Sequence, residues 1–149
     1  MPNTSPIAIV LAAGKGTRMN SDLPKVLHEA TGKTLLAWVL DALNDAGCTE
    51  QIVVVGYGGE KVRAHIGARP GVQFAVQQKQ LGTGDAVRAA VPSIESALTA
   101  GARSRPVVIV CGDSPLLRPL SIRRLLNAFQ STGAACLLGT AITEDPTGL

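Results

Sequence analysis

Three segments of this chain combine glycines, hydroxyls, amides and charges in the way a phosphate or a nucleobase requires. The first, Ala13-Gly14-Lys15-Gly16-Thr17-Arg18-Met19, follows an apolar run. Its two glycines allow close backbone approach to an anion, Thr17 adds a hydroxyl, and Lys15 and Arg18 add charge; in composition it is a phosphate cradle. It matches neither standard phosphate motif. A Walker A loop needs a glycine separated by four residues from its Gly-Lys pair, and the dinucleotide fingerprint needs Gly or Ala where Met19 stands. A strand-to-loop turn with solvated charges has the same composition. Further on, in SDLPKVLH, Pro24 restricts its own φ and holds Leu23 extended, which fixes the direction in which Lys25 leaves the chain. Lys25 is thus a candidate preorganised phosphate contact.

The second segment, Gln77-Gln78-Lys79-Gln80-Leu81-Gly82-Thr83-Gly84, offers an amide at Gln77 that can both donate and accept, as reading a base edge requires. Gly82 and Thr83 stand at a helix entry, where free backbone N–H groups can meet a ligand. A polar turn with Thr83 as a helix cap reads the same way. The third segment is Cys111-Gly112-Asp113-Ser114-Pro115. A carboxylate just past a buried strand suits a hard cation such as Mg²⁺, which bridges phosphates in nucleotidyl transfer; an Asx-type turn is the plainer alternative. His28 and His65 have no partners at catalytic or metal-ligand spacing. The chain has no GxSxG, CxxC or HExxH, so triad hydrolysis and zinc chemistry have no residues to stand on.

Such segments need elements to hold them. Ile7 to Ala12, Gln51 to Val55, Val72 to Val76 and Val107 to Cys111 read as buried strands, and Ala134 to Ala141 as a fifth apolar run of the same kind. Leu36, Val39, Leu40 and Leu43 recur at helical spacing within Leu35 to Ala46, with Gly47 as the stop. Glu60 to Ile66 reads as a short helix, and Thr83 to Val91 as one that Pro92 disfavours continuing. Pro119 opens a helix whose Ile122, Leu125, Leu126 and Phe129 form one stripe. Alternating strands and helices predict an α/β fold of three layers around a doubly wound, mostly parallel sheet. In such sheets ligands bind beyond the carboxyl ends of the strands, where all three segments fall.

The 149 residues, 46% hydrophobic and 17% charged, suit a single domain and exclude disorder. With 3% aromatics and scattered basic residues behind a net charge of +3, nothing resembles a nucleic-acid groove. The apolar start lacks a charged n-region, and no stretch approaches the ~18 residues of a membrane span, so a cytoplasmic protein without membrane contact is expected. Cys48, Cys111 and Cys136, odd in number and set in or beside apolar segments, read as buried thiols.

Taken in order, LAAGKGTRM, SDLPKVLH, GKTLLAWVLDAL, VVVGYGGE, QQKQLGTGDA, CGDSPLL and the terminal DPTG resemble the pyrophosphorylase half of bacterial N-acetylglucosamine-1-phosphate uridylyltransferases, within the nucleotidyltransferase superfamily. The resemblance covers nearly the whole chain. It implies a Rossmann-like nucleotide-diphospho-sugar transferase fold, Mg²⁺ as cofactor, and UTP and N-acetylglucosamine 1-phosphate as substrates, giving UDP-N-acetylglucosamine and pyrophosphate. It further implies nucleotide-loop contacts at Leu11, Ala12, Ala13 and Gly14, and uracil contacts at Gln77, Gly82 and Thr83. Arg18 corresponds to the arginine that steadies the leaving pyrophosphate, Lys25 to the lysine beside the attacked phosphorus, and Asp113 to a metal ligand. The family commonly has His or a small residue where Asp85 stands; here Asp85 reads only as a first-turn residue favoured by the helix dipole.

The resemblance also implies that residues 1–149 are the N-terminal part of one nucleotidyltransferase domain, truncated on its C-terminal side. The family's later sugar contacts, its second metal ligand, and the β-helix of acetyl transfer and trimerisation have no counterpart. A noncatalytic UTP-binding module, or a transferase for another base or acceptor, stays open on these residues.

Overall fold

The computed structural model describes residues 5–16, 19, 21–98, 105–140 and 142. Its centre is Ile7–Ala12 (β1), apolar at every position because both of its faces are covered. Side chains alternate across a strand, and here the alternation feeds two cores. Ile7 and Ile9 enter one, while Ala8, Val10 and Ala12 enter the other.

Glu29–Ala30 (β2) and Lys33–Thr34 (β3) form a small antiparallel hairpin around Thr31 and Gly32. Both turn residues have positive φ, 54° and 79°, the pairing expected of a tight two-residue hairpin. Leu35–Asp45 (α1) follows, its first turn capped by the Thr34 hydroxyl, which accepts from the Ala37 N–H at 3.3 Å. Then come Glu50–Val55 (β4), Gly59–Ile66 (α2), Val72–Val76 (β5), Thr83–Leu98 (α3), Val107–Cys111 (β6) and Pro119–Thr132 (α4). The main sheet runs β5-β4-β1-β6, all parallel, with Ile9 opposite both Ile52 and Ile109.

Helices cover both faces. Leu36, Val39, Leu40 and Leu43 of α1, Val62 of α2, and Ile122 and Leu126 of α4 pack on Val10, Val53 and Val55. On the opposite face Ala86 and Ala90 of α3 pack on Ile7, Ile9, Ile52 and Val54. This is the three-layer, doubly wound α/β arrangement. At about 1.5–3 kcal/mol for each fully buried aliphatic side chain, these two cores carry the fold.

The hairpin is pinned to α1 by charge. Asp41 pairs with Lys33 and Arg69, Lys33 lies over the Trp38 ring at 4.4 Å, and the Trp38 indole donates to the Ala30 carbonyl at 2.9 Å.

Three expectations fail. Strand β6, read as buried, exposes Val107, Ile109 and Cys111 on one face, because it is an edge strand that the helix on that side does not cover. Helix α3 does not stop before Pro92 but continues to Leu98. Pro92 is exposed, so water can satisfy the carbonyl it leaves unpaired, and Ile94, Ala97 and Leu98 beyond it pack on the second core. Residues 134–140 form no strand, and Leu138 is 79% exposed; Ala141 lies outside the described residues. Apolar composition alone does not make a strand, because the ladder needs a partner. Among the described residues, β6 pairs only with β1. No helix among them is long and apolar enough to cross a membrane.

Candidate active site

The chain connects outward from β1 to β4 and β5, then returns through α3 to β6 on the other side of β1. The order reverses between β1 and β6, and the loops leaving their carboxyl ends diverge to leave a crevice. A pocket of about 380 Å3 lies there. Its lining includes Leu11, Ala12, Ala13, Gly14, Lys25, Gln77, Gly82, Thr83 and Asp113, all of them residues singled out in the sequence. Arg18 and its neighbour Thr17 lie outside the described residues.

Lys25 opens a short 3-10 turn, Lys25–Leu27, entered from Pro24 at φ −50°. Pro24 is fully buried against Gly58, where a side chain would stand 2.5 Å from the proline ring. The lysine stem then passes over Gly16: a Cβ there would come within 2.7 Å of the Lys25 Cβ, and the φ of +64° is itself one that L side chains avoid. A glycine in the cradle therefore sets the course of the lysine. The Lys25 ammonium ends 2.8 Å from a carboxylate oxygen of Asp113. That carboxylate is placed by the turn after β6, where the Gly112 N–H donates to the Leu11 carbonyl at 2.9 Å and a side chain on residue 112 would crowd the same carbonyl.

The two remaining loops are tied to the cradle. The Ala13 carbonyl accepts from the Tyr57 N–H at 3.2 Å and from the Gln80 side-chain amide at 3.1 Å. Gln77 is buried at the end of β5, its own N–H donating to the Val55 carbonyl at 2.8 Å. Its side-chain nitrogen donates to the Gly82 carbonyl at 3.1 Å and to Asp85 at 2.8 Å. Gly82 takes φ +110° and its carbonyl accepts from the Ala86 N–H, so the first turn of α3 opens at Thr83. The opening N–H groups of a helix have no intrahelical acceptor and suit a polar ligand.

Other side chains depart from the sequence reading. Lys15 is exposed, lies over the Tyr57 ring at 5.1 Å, and is absent from the pocket lining. Cys48 is buried as the sequence suggests, and burial pushes its thiol pKa up to about 11. Cys111 and Cys136 are exposed, because side chains on edge strand β6 and the segment after α4 lack a covering layer. Cys111 lines the pocket, and its thiol is raised by partial burial and the Asp113 charge, with Lys25 opposing. Gln80 and Asp85 were not singled out for these contacts. Gln77 stands out in the run QQKQ by directly following a strand, but nothing marks Gln80, whereas Asp85 carries a signal in its departure from the family pattern.

Among the described residues no three His, Cys, Asp or Glu side chains cluster as a metal cage. Mg²⁺ does not require one, since it is commonly held by one or two carboxylates with substrate phosphates and water completing its shell. Asp113, partly exposed within a pocket that also presents a lysine, fits that donor set.

The sequence matches the MobA-like NTP transferase domain over residues 8–145. It is 45% identical over 141 residues to the bifunctional protein GlmU of Heliobacterium modesticaldum, covering 95% of this chain and 29% of that relative's length. Among solved structures, Rv0371c of Mycobacterium tuberculosis in complex with manganese aligns with a TM-score of 0.62 at 26% identity, over 87% of this chain and 61% of that one. A UDP-glucose pyrophosphorylase complexed with UDP-glucose aligns with a TM-score of 0.70 at 16% identity, over 87% and 55%, a likeness of fold.

Proposed function

Because the chain belongs to the MobA-like NTP transferase family, we propose that it is the nucleotide-binding part of a uridylyltransferase that joins UTP to N-acetylglucosamine 1-phosphate and releases pyrophosphate. The observation that carries this reading is the pocket at the strand-order reversal, where the β1 loop, Lys25, Asp113 and the Gln77 to Thr83 segment face one space. The ordered motifs that resemble N-acetylglucosamine-1-phosphate uridylyltransferases support the choice of UTP and of this sugar phosphate.

In this reaction an oxygen of the sugar phosphate attacks the α-phosphorus of UTP. The bond from that phosphorus to the bridging oxygen of the β-phosphate breaks, and pyrophosphate leaves with its electrons. Such a transfer needs in-line positioning and charge stabilisation rather than covalent help from the protein. Leu11, Ala12, Ala13 and Gly14 lay backbone against the nucleotide. Lys25 neutralises the oxygens of the attacked phosphate, and Arg18 those of the departing pyrophosphate. Gln77, Gly82 and Thr83 take the uracil. Asp113 would hold Mg²⁺, which when bound supplies positive charge to the phosphate oxygens.

Calorimetric titration with UTP, CTP and GTP in the presence of Mg²⁺ tests the proposal. UTP is expected to bind most tightly, and UDP-N-acetylglucosamine to compete for the same site. Equal affinity for the three nucleotides would remove the uridylyl reading.

A further inference from the structure

The side-chain amide of Gln77 has two hydrogens to donate, and both have acceptors. One faces the Gly82 carbonyl at 3.1 Å and the other the Asp85 carboxylate at 2.8 Å. A carbonyl and a carboxylate can only accept, so the opposite amide orientation would set oxygen against oxygen at both contacts. The orientation is thereby forced. What Gln77 retains for a ligand in the pocket it lines is the carbonyl oxygen Oε1, an acceptor. Its sequence promise of both a donor and an acceptor is reduced to one.

We infer that Asp85 is a positioning residue that sets base choice: by fixing the Gln77 amide, it makes the pocket ask for a base with an N–H at its ring edge. The inference rests on the uridylyl reading and deepens it. Uracil carries a hydrogen on N3, whereas cytosine, a base of the same size, presents a bare N3 lone pair. Oε1 would accept from the first and repel the second. Without Asp85, one Gln77 hydrogen loses its partner, and the amide can rotate to donate toward cytosine at the cost of only the Gly82 contact. Asp85 sits in the first turn of α3, so its carboxylate is held by a helix that packs on the second core and not by a free loop. A helix-dipole role alone would leave Gln77 out of its reach.

The test compares UTP and CTP affinities, with Mg²⁺, for the parent chain, Asp85→Ala and Asp85→Asn. One neutral hydrogen bond governs the difference, so the UTP-to-CTP preference should fall about 3- to 10-fold in Asp85→Ala. It should fall in Asp85→Asn as well, because an amide of the same shape can donate as readily as accept and no longer excludes the turned Gln77. A parent that prefers UTP, with the preference intact in Asp85→Ala, overturns this inference and leaves the uridylyl reading standing. A parent with no preference overturns both. NMR of the unsubstituted protein provides an arm that needs no variant. UTP should shift the Gln77 side-chain carbonyl carbon while its two amide hydrogens stay protected from exchange. Amide hydrogens that change partner when UTP binds would overturn the assignment.

Discussion

Lys25 and Asp113, one on the turn after Pro24 and the other beyond β6, form an ion pair of 2.8 Å inside the pocket that both line. Each is proposed to serve a different part of a metal nucleotide, and in the free protein each occupies the other. With side chains 44% and 30% exposed, the pair contributes at most about 1 kcal/mol to stability. It is therefore cheap to exchange. A phosphate can take the ammonium and a cation the carboxylate, leaving no charge unpaired at the end.

Lys25→Ala should consequently weaken UTP binding by about 10- to 100-fold, the range for a lost hydrogen bond to a charged group, while uridine binding stays the same. Titration with both ligands checks this. An equal loss for uridine would mean that the lysine acts by shaping the cradle. The melting temperature should move little, since the pair it breaks is half exposed.

Asp113→Asn should reduce the gain in UTP affinity that Mg²⁺ provides, because an amide is a poor ligand for a hard dication. The measurement is UTP affinity in Mg²⁺ and in chelator, for both proteins. An identical response in the two would rule out ligation by Asp113.

The path of the lysine over Gly16 separates two neighbouring glycines. Gly16→Ala combines a strained φ of +64° with a 2.7 Å approach to the Lys25 Cβ, and should destabilise the fold by roughly 1–3 kcal/mol as well as lowering UTP affinity. Gly14→Ala meets nothing within 4 Å and should melt like the parent. Its deficit should appear only with nucleotide, as a methyl between backbone and phosphate. If both variants melt alike, the Gly16 contact is not structural.

Much of this site could be read from residue types because a doubly wound sheet delivers its loops to one end. Once Ile7–Ala12 and Val107–Cys111 were recognised as strands apolar on both faces, the segments after them had to converge. The limits have equally physical causes. Pro92 is by itself a local stop signal, but the stripe Ala86, Ala90, Ile94, Ala97 runs through it, and tertiary burial outweighs one missing N–H. The hairpin around Thr31 and Gly32 has strands of two residues, too short to show a period. Residues 134–140 are apolar enough for a strand, but composition cannot supply the partner. Asp85 shows in the sequence only a helix-dipole role, because its partner Gln77 lies on the far side of a loop.

Away from the pocket, Asp41 gives the fold a pH dependence. Burial pushes its carboxyl up, but hydrogen bonds and charge from Lys33 and Arg69 together outweigh it and hold the group below its ordinary value. A depressed folded pKa stabilises at pH above the ordinary carboxylate range, and the benefit is lost as pH falls through the lowered value. Asp41→Asn should therefore melt below the parent at pH 7, with the gap closing under acid. Thermal melts across that range provide the check. A gap independent of pH would mean that the carboxylate charge contributes nothing to holding the hairpin on α1.

The Ala13 carbonyl has two lone pairs, and Tyr57 and Gln80 take both. The Leu11 carbonyl is likewise occupied, by the Gly112 N–H. The peptide at the mouth of β1 has thus spent these two electron-rich groups on the scaffold, which weights what it can still offer a visitor toward N–H. Such a surface sorts by polarity without carrying formal charge. Dissolved ions screen lysines and arginines over distances of about 8 Å at physiological strength, but they cannot intervene between a peptide N–H and a phosphate oxygen in contact. A phosphate bound as proposed would therefore be held in part by a backbone attraction that resists salt.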